Sequence, residues 1–137
     1  MRKDIEFPTV EGVQVAITQS INLVNEAEWE VYLLNYNTYT LHNVLVTSRG
    51  YSPKDTKEAY RKETSTLRQM LGSIEAEVGA RIELIDPALF SLCNEYWISY
   101  YVDDKIYDKK FIFMPDSITE KNLVYIDILN KKGVLHS

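Results

Sequence analysis

Cys93 carries the most reactive side chain of the sequence, and a thiol acts as nucleophile or metal ligand only beside a group that lowers its pKa. Leu92 precedes it and Asn94-Glu95 follow, so the local sequence offers no such group, and Cys93 reads as a small semi-buried residue. The two histidines, His42 and His136, stand at the start of an extended run and at the C-terminal end. So placed, they read as structural or solvent-facing rather than as a catalytic pair. Asp103, Asp104 and Asp108 are the densest acidic group and offer the oxygen ligands a hard cation takes. Lys105, Lys109 and Lys110 are interspersed with them and cancel most of that charge, and hairpin tips favour Asp in any case. The five glycines, at 12, 50, 72, 79 and 133, nowhere form Gly-x-Gly, which excludes a dinucleotide fingerprint and a phosphate-cradling P-loop. A single cysteine excludes an internal disulfide and any zinc site built from several thiolates. No catalytic, cofactor-binding or metal-ligating residue is assigned, no cofactor is expected, and the chain reads as non-enzymatic.

The one unusual quantity is aromatic. Ten tyrosines and two tryptophans occur in 137 residues, and Tyr96, Trp97, Tyr100, Tyr101, Tyr107, Phe111 and Phe113 fall within one short stretch. Two runs rich in aromatic and β-branched residues flank the polar tip Asp103-Asp104-Lys105, the pattern of a β-hairpin over residues 95–113. Strand alternation puts Tyr96, Ile98 and Tyr100 on one face and Trp97, Ser99 and Tyr101 on the other. Only one of those faces can enter a core. The other presents its rings outward, as interfaces do, unless the charged loop around residues 54–62 or the segment 123–129 covers it. Trp97, Tyr101 and Tyr107 are therefore the candidate interaction face, for a protein partner or a second copy of the chain. Lys109 and Lys110 beside such rings suit stacking on single-stranded nucleic acid. The formal net charge of −5 opposes it, because phosphate binding depends on neutralising charge, and no nucleic-acid partner is expected.

The remaining apolar residues recur mostly at period two. Val13, Val15 and Ile17 alternate, as do Trp29, Val31 and Leu33; Leu41 to Ser48 and Ala80 to Ile85 read as further strands, ended by Gly50 and by Asp86-Pro87. Residues 52–64 are dense in charge and read as an exposed loop with at most one helical turn. The stretch 67–74 fits two templates. Leu67, Met70, Leu71 and Ile74 have helical spacing, but Gly72 penalises a helix, and a strand is preferred. Leu123 to Leu129 suits one more short strand, with Lys131-Lys132-Gly133 interrupting thereafter.

Six or seven strands with little helix predict a mostly β chain, a two-sheet antiparallel β-sandwich of immunoglobulin or fibronectin-like kind, with one charged loop and a short C-terminal extension. With no inter-sheet disulfide available, the fibronectin type is the closer analogue. The expected core includes Trp29, Val31, Leu33, Val44, Val46, Ile82, Leu84, Ile98 and Phe111. One domain is expected over residues 1–137, with the sandwich at about 10–114 and the extension at 115–137.

The composition, 45% hydrophobic and 26% charged, is that of a globular domain rather than a disordered chain. The opening residues lack the apolar run of a secretory signal, and no stretch approaches the roughly 18 apolar residues of a membrane span. No membrane association is expected, and a cytoplasmic location is.

Several stretches together resemble a family of small Bacteroidetes proteins with no established activity. They are Glu6-Phe7-Pro8-Thr9-Val10-Glu11-Gly12-Val13, Asn43-Val44-Leu45-Val46-Thr47-Ser48-Arg49-Gly50-Tyr51, the hairpin from Asn94 through Phe113, and Lys131-Lys132-Gly133-Val134-Leu135-His136. Members of that family often carry the label phenylalanine–tRNA ligase alpha subunit. The resemblance implies a tRNA-ligase-associated role and transfers no site residues. The chain contains no Glu-Arg dipeptide and no paired glycines, the elements of the third motif of a class II ligase. The leading expectation is a protein acting through protein–protein contacts. The alternatives are the ligase-associated role and a small-ligand binder with a pocket between its sheets.

Overall fold

Alternation along the first sixty residues builds the start of two sheets. Strands β1 (Val13–Ile21) and β2 (Ala27–Asn35) pair antiparallel. Asn22 closes their turn by accepting from the backbone N–H of Val24 and of Glu26, both at 3.0 Å. Asn25 takes the left-handed backbone (φ 63°) that short polar side chains tolerate. The following strands are β3 (Leu41–Tyr51), β4 (Leu67–Ile74), β5 (Val78–Leu84), β6 (Cys93–Val102), β7 (Lys105–Phe113), β8 (Val124–Ile126) and β9 (Lys131–His136). The structure, a computed structural model, describes residues 8–136. Residues 1–7, on which the reading of the chain's start rests, and residue 137 lie outside the described residues.

The strands form a five-stranded sheet in the order β5-β2-β1-β9-β8 and a four-stranded sheet in the order β4-β3-β6-β7, with every neighbouring pair antiparallel. Helix is confined, among the described residues, to three 3-10 turns, at Glu58–Tyr60, Pro87–Ser91 and Glu120–Asn122. The chain is thus mostly β and built on two antiparallel sheets. Val15, Ile17, Trp29, Val31, Leu33 and Val134 of the first sheet meet Val44, Val46, Ile74, Tyr96, Ile98, Tyr100, Phe111 and Phe113 of the second in one buried cluster.

The stretch 67–74 is a strand. Gly72, which penalises a helix, sits at φ 75° where the β3–β4 register shifts around Val44, a bulge that suits a residue without a side chain. The charged loop is laid against the end of β3: Ser52 N–H donates to Lys62 O at 3.0 Å, and Gly50 N–H donates to Thr64 Oγ1 at 2.8 Å.

Two expectations, one of them about the core, need correction. Leu84 is 52% exposed. The β2–β5 register shifts between Val31 and Tyr32, so that Val31 faces Glu83 while Tyr32 faces Arg81. Ile82 is the extra residue of this bulge, and beyond it the alternation inverts: Glu83 and Ile85 turn inward and Leu84 turns out. The other expected core residues are buried. The second correction concerns residues 115–137. They are no appendage, for β9 pairs with β1 inside the five-stranded sheet and β8 forms its edge. Gly133 permits this, since a Cβ there would press on the backbone oxygen of Ile17 at 3.0 Å.

The C-terminal segment also covers a surface. Ile126, with Ile128 and Leu129 beside it, packs on Ala16, Leu34 and Tyr32, residues of the outer face of the five-stranded sheet. Lys131 Nζ donates to Tyr32 Oη at 2.9 Å and to Glu30 Oε1 at 3.2 Å, while Arg81 Nε lies 3.0 Å from Glu30 Oε2. The buried Glu30 carboxylate is thereby held by two cations, as a buried charge must be.

Candidate functional site: an outward aromatic sheet face

The hairpin β6–β7 positions the candidate residues. Asp103 and Asp104 both take left-handed backbone (φ 49° and 67°), the requirement of a two-residue turn whose twist matches its strands. This turn fixes the register, with Val102 opposite Lys105, Tyr100 opposite Tyr107, and Trp97 opposite Lys110. Tyr96, Ile98 and Tyr100 are buried, and Trp97 and Tyr101 are each 42% exposed. Among the described residues no segment is laid over the outward face of the hairpin, and the C-terminal segment lies on the opposite sheet.

Tyr107 does not belong to that face. It stands opposite Tyr100, and residues directly opposite share a face. The two rings stack at 5.2 Å between centroids and 2° between planes, with Tyr107 half-buried against the core. Burial pushes the Tyr100 phenol far above its ordinary pKa, with Tyr39 and Tyr107 adding to the shift.

Trp97 is fixed in place. Its Nε1–H donates to Asp108, and Lys110 Nζ stands 4.7 Å from its ring centroid. Asp108 is therefore occupied by the indole and stands apart from the Asp103-Asp104 turn. Sequence reading named Ser99 and Asp108 but missed the other neighbours of this pair. Leu45 and Thr47 of β3, Arg68 of β4, and Ser99, Ile106 and Asp108 line, with Trp97, a shallow depression of about 340 Å³ on the outer face. Met70, opposite Leu45, extends the apolar surface and is 65% exposed. The signal for these residues was alternation on β3 and β4, legible only once β3 is known to pair with both β4 and β6. At the far end of the face, Glu95 accepts from Arg49 Nε at 3.3 Å and from Tyr51 Oη at 3.0 Å, and Arg49 also faces Glu63 at 3.9 Å. Among the described residues, the cations near Trp97, Arg68 and Lys110, are paired with no carboxylate.

The other residues singled out by type are placed as follows. Cys93 is buried at the start of β6, and burial pushes its thiol above the ordinary value, away from the reactive thiolate. His42 Nδ1 lies 3.4 Å from Ser73 Oγ, and the His136 ring stands edge-on to Phe111 and Phe113, 5.5 Å from each. Among the described residues, no three His, Cys, Asp or Glu side chains gather as a metal site would require, and no helix is long and apolar enough to cross a membrane. Comparisons with protein-family models, with curated proteins and with solved structures find no match to this chain.

Proposed function

We propose that the chain is a non-enzymatic β-sandwich module of the fibronectin-like kind, acting through protein–protein contacts on the outer face of the β4-β3-β6-β7 sheet. The strand order supports the fold type. Taking β1, β2, β3, β5, β6 and β7 as A, B, C, E, F and G gives A-B-E in one sheet and C-F-G in the other. β4 joins the C side rather than the E side, and β8 and β9 extend the free edge of A.

One observation carries the functional reading: among the described residues, the C-terminal segment covers the outer face of one sheet and no segment covers the aromatic face of the other. Exposed, contiguous apolar surface with a polar rim marks association sites. Trp97, rigidly held, is the natural anchor of such a site. Around Trp97, Arg68 and Lys110 outnumber the single nearby carboxylate, Asp108, which accepts from the indole, while Glu95 at the far end of the face is held by Arg49. The partner is accordingly a protein surface with an apolar centre and an acidic rim.

The test compares partners captured by the chain, by Trp97→Ser/Tyr101→Ser, by Arg68→Glu/Lys110→Glu and by Leu23→Ser/Val24→Ser, alongside sedimentation of each. The last pair changes the exposed tip of the β1–β2 hairpin. The expected result is an acidic partner lost with the first two variants and kept with the third. Retention by all variants, or loss only with the tip variant, overturns the proposal. Concentration-dependent dimerisation abolished by Trp97→Ser/Tyr101→Ser replaces the acidic partner with a second copy of the chain. Phenylalanine-dependent ATP–pyrophosphate exchange by the purified chain would instead favour the role implied by the family label.

A further inference from the structure

A second opening lies between the sheets, away from the aromatic face. Residues 75–77 join β4 to β5 and so tie the two sheets together at the Ile74 end. At the other end, Leu67 and Glu83 line a cleft of about 300 Å³. Its floor comes from Ser48 and Gly50 of β3 and Asn94 and Tyr96 of β6, all facing inward. Its apolar walls are Leu67, Ile85 and Leu89. Leu89 is set by the 3-10 turn Pro87–Ser91, capped by Asp86 Oδ1 accepting from Ala88 N–H at 2.9 Å.

Three polar side chains of this cleft, Asn94, Ser48 and Glu83, keep acceptor capacity that no described residue fills, whereas Thr64 Oγ1 is engaged by Gly50 N–H and by Ser65 O. Asn94 is 3% exposed; its Nδ2 donates to Leu89 O at 2.9 Å and to Leu92 O at 3.2 Å, while its Oδ1 accepts from no described residue. Ser48 is 6% exposed and its hydroxyl makes no hydrogen bond with a described residue. Glu83 accepts from Tyr96 Oη at 3.0 Å through Oε2, and no cation pairs with it among the described residues. Buried polar atoms normally have partners, and each exception calls for one. Arg49 also lines the cleft, but its charge is balanced by Glu95 and Glu63, and its guanidinium lies over the Tyr51 ring at 4.6 Å.

We infer that this cleft binds a small molecule carrying a protonated primary amine on an apolar body, with the ammonium set against Glu83, Asn94 and Ser48. An ammonium brings one positive charge and three donors and no acceptor, which answers one carboxylate and a set of unfilled acceptors. A divalent cation asks for more oxygen charge than a single carboxylate gives. Leu67, Ile85 and Leu89 suit an alkyl or aryl body. At the roughly 30 Å³ one water takes in the liquid, the cleft of about 300 Å³ has room on the order of ten waters, the scale of a small arylalkyl amine. Burial holds the Glu83 carboxyl above its ordinary pKa, a cost that an arriving cation relieves.

The probe is 2-phenylethylamine, with 2-phenylethanol as its uncharged counterpart, followed through the methyl NMR signals of Leu67, Ile85 and Leu89. Saturable shifts of these signals by the amine at millimolar concentration are expected, with the alcohol weaker by about tenfold or more. Glu83→Gln keeps an acceptor for Tyr96 and is expected to weaken the amine by a similar factor. Leu67→Trp, on the exposed edge of β4, fills the mouth without touching the carboxyl and is expected to block it. No saturable shift, equal binding of amine and alcohol, or unchanged binding in both variants overturns the inference and leaves the cleft to water.

Discussion

The phenol of Tyr96 donates to Glu83 Oε2 at 3.0 Å, and this bond crosses from one sheet to the other. The pair is a neutral donor facing a carboxyl that burial disfavours as an anion. Both groups are pushed upward, Tyr96 far above the phenol range by burial and by the Glu83 charge, and Glu83 above the carboxylate range by burial. A carboxyl whose folded pKa is raised binds its proton more tightly in the native state. The stability it contributes is present below the unfolded value, near 4.5, and falls as pH rises from there through the folded value. Glu83→Gln removes that dependence and keeps the acceptor. It is expected to raise the melting temperature at neutral pH and to leave it nearly unchanged below the ordinary carboxylate range. Thermal melts at the two pH values check this, and a lower melting temperature for the variant at neutral pH would show the anion to be stabilised.

The C-terminal segment is held by shape as well as by charge. A Cβ on Gly79 would collide with Leu129 Cδ2 and approach Leu34 Cδ2 at 3.1 Å. Gly79→Ala is expected to cost about 1–3 kcal/mol through overpacking. Leu129→Ala removes the obstacle, so the double variant is expected to be less destabilised than the sum of the singles, the mark of direct contact. Denaturant titration of the four proteins measures the coupling.

Tyr107 and Trp97 separate core from interface within one hairpin. Tyr107→Ser loses a half-buried ring and its stack on Tyr100, and a loss of about 2–3 kcal/mol is expected. Trp97→Ser and Tyr101→Ser sit on the open face and are each expected to cost about 1 kcal/mol or less. Equal destabilisation by all three would show that the outward rings are core after all.

The hairpin was legible because its alternation runs unbroken through β6 and its turn has only two residues. The same turn length places Tyr107 opposite Tyr100, so the face of Tyr107 could have been read by counting back from Asp103-Asp104. Leu84 was not legible: the bulge at Ile82 answers to the pairing of β5 with β2, and nothing in Arg81-Ile82-Glu83-Leu84 announces it. That same bulge turns Glu83 inward, so the cleft carboxylate was concealed with it. β9 was hidden by Lys131 and Lys132. The first is a strand residue whose amine reaches Glu30, a partner about a hundred residues earlier in the chain. Arg68 and Met70 joined the candidate face through the adjacency of β4 and β3, which is topology rather than local pattern.

Asn35 ties the sheets together at the end opposite the cleft. It is fully buried, and its Nδ2 lies within hydrogen-bond distance of Tyr39 O at 2.9 Å, Glu75 O at 3.0 Å and Ile74 O at 3.2 Å, while Oδ1 accepts from Asn37 N–H at 3.0 Å. One amide thus answers a β2 turn and the β4–β5 turn at once. Asn35→Ala leaves these carbonyls and an N–H without partners, and each buried polar group so stranded costs about 1–3 kcal/mol. A total loss of about 3 kcal/mol or more is expected. Asn35→Asp preserves the shape but sets a carboxylate against three carbonyl oxygens, so it is expected to be less stable than Asn35→Ala at neutral pH. The same repulsion raises the folded pKa of the new carboxyl, so that the native state takes up the proton first and Asn35→Asp regains stability as pH falls. Asn35→Ala has no such group and is expected to show no such recovery. Melting both variants against the parent chain across pH measures the difference, and Asn35→Asp matching the parent at neutral pH would mean that the amide donor is not what joins the sheets.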